Sequence, residues 1–296
     1  MPVYIYDRKT KKTIEENAIK VDGLIFLYKT LAGKLLTNMV LKRRFVSTAY
    51  GRVMKGKKSL KQIPKFIKHY DIDVSEIKRP INSFTSFNDF FIRELKPSAR
   101  PIDQTPEHLI SPADSRLIIW DLSKVNQVPV KGYWYQLNDL VKDKQLAQEF
   151  ADGWCFVYRL APSDYHRYGY IDNGHQDKVQ KIKGILHSVN RIALAETRSV
   201  MSKNYRELTV LHTENFGKVV HIEVGALFVG KVVQRNYGAC SFKRGEEKGW
   251  FEFGGSTVIQ LFKKGAIIPD ADIIEQSGKS TEVLVKIGER VGLKAN

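Results

Sequence analysis

The chain has 296 residues, enough to bury a substantial core as one large domain or two modest ones. Two cysteines, Cys155 and Cys240, offer no disulfide framework and no metal-ligand spacing, so a reducing compartment is the default. The net charge of +16 is uneven: residues 1–70 hold 17 Lys/Arg and 4 Asp/Glu (net +13), and the rest hold 31 and 28. That asymmetry points to an anionic, extended partner, a membrane surface or nucleic acid, with a solvated basic face as the competing reading.

In chain order, Met1 to Tyr6 runs straight into Asp7-Arg8-Lys9, without the pattern of a secretory leader. Residues 23–41 are the most apolar stretch, yet Lys29 and Lys34 make it a poor transmembrane span. Leu24, Leu27, Tyr28, Leu31, Leu35 and Met39 recur at helical spacing, and Lys42-Arg43-Arg44 follows directly. An apolar face beside a cationic cluster predicts a helix lying in a bilayer interface, with a core helix as its rival. Residues 46–70 read as further helix carrying Lys55, Lys57, Lys58, Lys61, Lys65 and Lys68. Nucleic-acid readers interleave aromatics or arginine forks with such charge; lysine as a point charge suits lipid phosphates. No nucleic-acid partner is therefore expected. Phe84 to Leu95 predicts a short helix with Ser86 as N-cap and Asp89 at its third position, ended by Lys96-Pro97-Ser98-Ala99-Arg100-Pro101.

From residue 109 the period shifts toward strands. Leu117–Trp120, Trp154–Leu160, Ile182–Val189, Arg206–Leu211, Lys218–Gly225, Ala226–Gln234, Trp250–Phe253, Thr257–Phe262 and Val283–Ile287 read as strands, with Gln136–Phe150 as a helix. The expected class is α+β: a helical, basic N-terminal region over 1–105, then a β-rich, barrel- or sandwich-like body over 106–296.

Within that body, Phe253-Gly254-Gly255-Ser256-Thr257 interrupts an aromatic and β-branched strand pattern. Glycine in a strand marks a bulge, a bend or a close backbone approach, and a β-bulge or tight hairpin is the plain reading. A sharper one starts from Gly255, whose missing Cβ leaves its carbonyl open to a neighbouring hydroxyl. If a base activates Ser256 Oγ, attack on that carbonyl converts the amide into an ester. β-Elimination then breaks the chain after Gly255, and the dehydroalanine left behind hydrolyses to a pyruvoyl group.

The run from Lys243 to Thr257 resembles the processing site of phosphatidylserine decarboxylases. So do Phe87-Asn88-Asp89-Phe90-Phe91-Ile92-Arg93-Glu94-Leu95, Ser111-Pro112-Ala113-Asp114, Asp164-Tyr165-His166-Arg167-Tyr168 and Glu223-Val224-Gly225-Ala226, in the family's order over roughly two hundred residues. The resemblance implies a self-cleaving proenzyme, divided between Gly255 and Ser256 into pieces 1–255 and 256–296. It also implies a covalent pyruvoyl cofactor from Ser256, no metal, and conversion of phosphatidylserine to phosphatidylethanolamine and carbon dioxide. Asp114 is then the carboxylate of an Asp-His-Ser processing triad, Ser256 its nucleophile, and His166 the acid or base on the substrate side. The family carries a second histidine three residues after the first, and here that position is Gly169. The loss leaves three readings: an engineered trap of the precursor, a variant using His166 as base, or a paralogue that no longer processes. The favoured one is an unprocessed or crippled precursor of a real decarboxylase. The resemblance also implies a peripheral place on the cytoplasmic side of the cell membrane, with phosphatidylserine and an anionic surface as partners, and it allows a homodimer. The alternatives are a pyruvoyl decarboxylase of a soluble amino acid and a non-catalytic basic protein binding membrane or nucleic acid.

Overall fold

Runs such as Trp154-Cys155-Phe156-Val157-Tyr158 and Val258-Ile259-Gln260-Leu261-Phe262 are apolar on both faces of a strand, so their sheet must be covered on both sides. A computed structural model describes residues 4–16, 51–124, 128–130, 133–184, 204–225, 231–253 and 256–295. The apolar stretch 23–41 and the cluster Lys42-Arg43-Arg44 lie outside these residues.

The chain opens on a hairpin, β1 (Tyr4–Asp7) and β2 (Lys12–Glu15). Residues 51–55 are helical, Lys57–Gln62 form a 3-10 turn, and α1 (Ile63–Tyr70) stops on Asp71, which takes the left-handed conformation at φ 50°. The continuous helix expected over 46–70 is thus broken at Gly56, while its lysines are all exposed. α2 (Phe87–Phe91) begins as the sequence predicts: Ser86 Oγ accepts the Asp89 N–H at 3.1 Å, and Asp89 reaches back to the Thr85 N–H at 2.9 Å.

Next come β3 (His108–Ile110), β4 (Ser115–Asp121), the ribbon of β5 (Val128–Val130) and β6 (Tyr133–Tyr135), α3 (Leu137–Val141) and α4 (Lys144–Glu149). The single helix expected over 136–150 splits because Lys142 is left-handed (φ 57°) and Asp143 caps a new start, accepting from the Gln145 and Leu146 N–H groups. Strands then follow as β7 (Trp154–Leu160), β8 (Arg167–Gly169), β9 (Gly174–Gln176), β10 (Gln180–Ile182), β11 (Arg206–Thr213) and β12 (Gly217–Gly225). The chain continues through β13 (Val232–Gln234), β14 (Cys240–Phe242), β15 (Glu247–Phe251), β16 (Ser256–Phe262), β17 (Ile267–Pro269), α5 (Ala271–Gly278), β18 (Glu282–Val285) and β19 (Arg290–Lys294).

The main sheet runs β14-β9-β11-β12-β16-β7-β4-β18-β1-β2, with β10 also on β11; two three-stranded sheets, β13-β15-β8 and β17-β19-β3, accompany it. The α+β class and β-rich body match the expectation. The sheet is open, however: its end strands β14 and β2 do not pair, so no closed barrel forms among the described residues. One face packs Ile118, Val157, Ile222, Ile259 and Leu261 under Leu140, Val141 and Phe150 of the α3–α4 segment. The other packs Leu117, Phe156, Tyr158, Val258 and Phe262 under residues of the small sheets, among them Tyr168, Phe251 and Val291. A third core gathers Ile63, Phe84, Phe87, Phe90 and Phe91 with Phe253, tying the helical segment to the run just before Ser256.

Candidate active site

β16 lies between β12 and β7, and its first residue, Ser256, is paired with Gly225 on one side and Leu160 on the other. Ser256 is 0 % exposed, and its Oγ has no hydrogen-bond partner. A buried hydroxyl left unpaired costs roughly 1–3 kcal/mol, and Thr257 Oγ1 and Tyr158 Oη in the same core are unpartnered as well. Phe253, three residues earlier, is held by its N–H to Asn88 Oδ1 at 3.0 Å and by edge contacts to Phe87 and Phe91, both at 5.0 Å. Gly254 and Gly255 are outside the described residues.

Asp114 immediately precedes β4, and β7 separates β4 from β16. Arg116 pairs with Arg159 and Ser256 with Leu160, so both residues sit at the same end of the sheet. Two interstrand spacings put them roughly 10 Å apart, beyond direct hydrogen bonding. Asp114 is fully buried and takes Arg100 Nε at 3.0 and 2.9 Å, the Ile287 N–H at 2.9 Å and Lys286 Nζ at 3.5 Å. Burial would raise its carboxyl, but Lys286, Arg100 and the Ile287 N–H hold it below the usual carboxylate range. The Asx-turn reading of Ser-Pro-Ala-Asp gives way to this long-range ion cluster.

Gly169 closes β8, and its N–H donates to the Pro112 carbonyl at 2.9 Å, two residues from Asp114. A Cβ built there meets the Glu246 carbonyl oxygen at 3.0 Å and Ile287 Cδ1 at 3.6 Å. A side chain at 169 would therefore enter beside the residue whose N–H binds Asp114, after a shift of a few tenths of an ångström.

His166 is buried against the Phe91 ring, with centroids 3.9 Å apart. Its Nδ1 lies 2.9 Å from the Asp164 carbonyl oxygen, which can only accept, so Nδ1 carries the proton and Nε2 holds the lone pair. Nε2 has no partner. Burial pushes the imidazole down to about 3, with Arg93 and Arg116 adding to the effect against the Asp164 carbonyl and Asp114. The ring is neutral near pH 7.

The structure thus brings Asp114, Gly169, His166 and Ser256 to one end of the sheet without joining Asp114 to Ser256. Sequence reasoning missed Arg100, read only as part of a helix stop, and Lys286. It also passed over Lys248, whose Nζ is buried against Glu223 Oε1 at 2.6 Å, Gln234 Oε1 at 2.8 Å and Thr209 Oγ1 at 3.1 Å. Among the described residues no group of His, Cys, Asp and Glu is arranged to hold a metal ion.

A family model described as phosphatidylserine decarboxylase matches residues 87–293. The phosphatidylserine decarboxylase proenzyme of Clostridium perfringens (strain ATCC 13124) is 42% identical over 295 residues, covering 99% of this chain and 100% of that protein. The proenzyme of Clostridium botulinum (strain Alaska E43) is 40% identical over 293 residues, 99% of both chains. That of Fusobacterium nucleatum is 40% identical over 289 residues, covering 97% of this chain and 95% of that one.

Proposed function

Because the chain belongs to the phosphatidylserine decarboxylase family, we propose that Ser256 is the source of its reactive group and that position 169 limits how fast that group forms. The enzyme is a carboxy-lyase that removes carbon dioxide from the serine head group of phosphatidylserine and leaves phosphatidylethanolamine. The observation that carries the proposal is the buried, unpartnered Oγ of Ser256 at the head of β16, directly after Gly255. Attack by Oγ on the Gly255 carbonyl turns the amide into an ester. Loss of the Ser256 Cα proton then expels the Gly255 carboxylate, and hydrolysis of the dehydroalanine, with release of ammonia, gives a pyruvoyl group. Once formed at position 256, that group would supply an electrophilic carbonyl for the substrate's primary amine and a sink for the electron pair left as carbon dioxide departs.

Asp114 and Ser256, two strands apart, need a group between them to pass a proton, and an imidazole at 169 would lie on the Asp114 side. Gly169 supplies none, so in this reading the chain cleaves itself slowly. On the substrate side His166 acts as proton acceptor first, through Nε2, because its ring is neutral. A second reading follows from the same free Nε2: if the unmodified chain already splits, His166 is the processing base.

Intact mass and gel analysis of Gly169→His test this. The expected outcome is cleavage after Gly255 into pieces of 255 and 41 residues, with a ketone-reactive label on the smaller. An uncleaved Gly169→His chain, or fragments from the unmodified one at the same rate, would remove position 169 from the mechanism.

The same reading puts the protein at the anionic, cytoplasmic face of the cell membrane. Support comes from exposed Lys57, Lys58, Lys61, Lys65 and Lys68 around α1, while Ile63 turns into the core. Among the described residues no helix is long and apolar enough to cross a membrane. Co-sedimentation with anionic vesicles should weaken with salt, since exposed charges are screened within about 10 Å at 0.1 M. Equal binding to neutral vesicles in high salt would reject it.

A further inference from the structure

Arg93 follows α2 and is only 4 % exposed, yet most of its hydrogen-bonding capacity is idle. Nη2 donates to the Ser163 carbonyl at 3.1 Å, while Nε and Nη1 have no partner and no carboxylate forms an ion pair with it among the described residues. A buried charge without a counter-ion is costly by several kcal/mol. The carboxylates that act on it from nearby are committed elsewhere. Asp164 is bound to Arg116 and the Ala161 N–H, and Asp114 to Arg100, Lys286 and the Ile287 N–H. The guanidinium rests 5.1 Å from the centre of the Phe90 ring, and the adjacent Phe91 packs on His166. Burial lowers the guanidinium to about 10, which leaves it charged at neutral pH.

We propose that Arg93 is the receptor for the phosphodiester of the substrate's head group. The inference rests on the phosphatidylserine reading above. That substrate carries two anions, and the chemistry chooses between them. A cation held on the carboxylate would stabilise charge that must disperse as carbon dioxide leaves, favouring the ground state over the transition state. Nη2 spends only one of its two N–H groups on Ser163, so its second, side by side with the N–H of Nε or of Nη1, forms one edge of a planar fork that suits two phosphate oxygens.

The first test needs no processing. The full chain is titrated with sn-glycero-3-phosphoserine and, separately, with free serine, alongside Arg93→Gln and Arg93→Lys. Loss of charge-assisted bonds to phosphate should weaken glycerophosphoserine binding about tenfold or more, with the weak binding of serine unchanged. No binding of glycerophosphoserine by the parent, equal binding by Arg93→Gln, or two variants that both fail to fold would overturn the assignment. The second test uses the Gly169→His background. Arg93→Lys should process normally and raise KM for phosphatidylserine about tenfold while kcat stays within about threefold, the pattern of lost uniform binding. Lost cleavage, or a fall in kcat at constant KM, would instead place Arg93 in the chemistry and sink the proposal. Should Gly169→His process and yet leave phosphatidylserine untouched, the substrate reading itself fails, and the titration still decides whether Arg93 binds phosphate.

Discussion

Lys248 and Arg93 are both buried cations, 1 % and 4 % exposed, and they are held on opposite terms. Lys248 donates to three acceptors, one of them the carboxylate of Glu223. The network continues outward, from Gln234 Nε2 to Glu207 at 3.0 Å and from Tyr205 to Glu207 at 2.6 Å. His221 Nε2 faces Glu223 at 3.3 Å, while its Nδ1 accepts from Gln260. Burial would raise the Glu223 carboxyl, but Lys248 and His221 hold it low. Glu223 pairs with Val258, two residues along β16 from Ser256 and on the same face. Lys248 and one Glu223 oxygen are therefore paired within the fold, although Glu223 Oε2, His221 Nε2 and Gln260 Oε1 have no hydrogen-bond partner. Arg93 Nε and Nη1, His166 Nε2 and Ser256 Oγ stand open, without a hydrogen-bond or ion-pair partner among the described residues. In the proposed mechanism the open groups are the ones that meet a reacting atom or the substrate.

The sharpest way to break that contrast is at Ser256. In the Gly169→His background, Ser256→Ala should abolish cleavage and decarboxylation, since alanine has no oxygen to attack Gly255. The melting temperature should hold or rise slightly, because an unpaired buried hydroxyl is being removed. A marked drop in melting temperature would mean that Ser256 belongs with the paired group.

Lys248→Met should do the reverse. Removing one partner of a buried ion pair costs about 3–5 kcal/mol, read as a shift in the urea midpoint. Adding Glu223→Leu should recover much of the loss, because no uncompensated carboxylate remains. Additive losses in the double variant would show that Glu223 and Lys248 are not coupled.

Next in size is the pH response of His166. Its folded-state value is about 3 against 6.5 for an ordinary histidine. Between those values the unfolded chain binds a proton that the folded chain refuses, so stability falls as pH drops below 6.5. At pH 5 the loss is about 2 kcal/mol. His166→Phe should remove that part of the slope, leaving the share due to buried His221, also lowered by burial. Parallel pH curves for parent and variant would mean that His166 is not held neutral.

How far the sequence shows this division depends on where each partner lies. The strand around Ser256 and the cap at Ser86 were legible, because aromatic and β-branched composition and an S-x-x-D spacing are local signals. The hairpin Tyr4–Glu15 was not read as part of the sheet, since its neighbour β18 pairs in parallel from 277 residues further along the chain (Ile5 with Glu282). The arginine that holds Asp114 hid in a segment read as a helix stop. Lys248 hid better still, within Lys243 to Thr257, a run read only as a family motif with no role for its lysine. β15 exposes Glu247 in part and buries Lys248, and only the fold supplies Glu223. Composition reports the charge, but whether it is paired depends on contacts distant in sequence.

The smallest effect expected concerns the scaffold beneath the open group. α2 has only five residues, so its start depends on Ser86 Oγ and the returning Asp89 carboxylate. Ser86→Ala removes one of these two bonds and should cost about 1 kcal/mol, the usual price of a lost N-cap. Phe87, Phe90 and Phe91 remain packed in their own core and on Phe253 and His166, so the direction of Arg93 beyond the helix should survive. Thermal unfolding should therefore shift by a few degrees while the affinity for sn-glycero-3-phosphoserine stays within about twofold of the parent. A tenfold loss of that affinity from Ser86→Ala would mean that the cap, and not aromatic packing, aims Arg93. The open group would then be as dependent on local hydrogen bonds as the paired one.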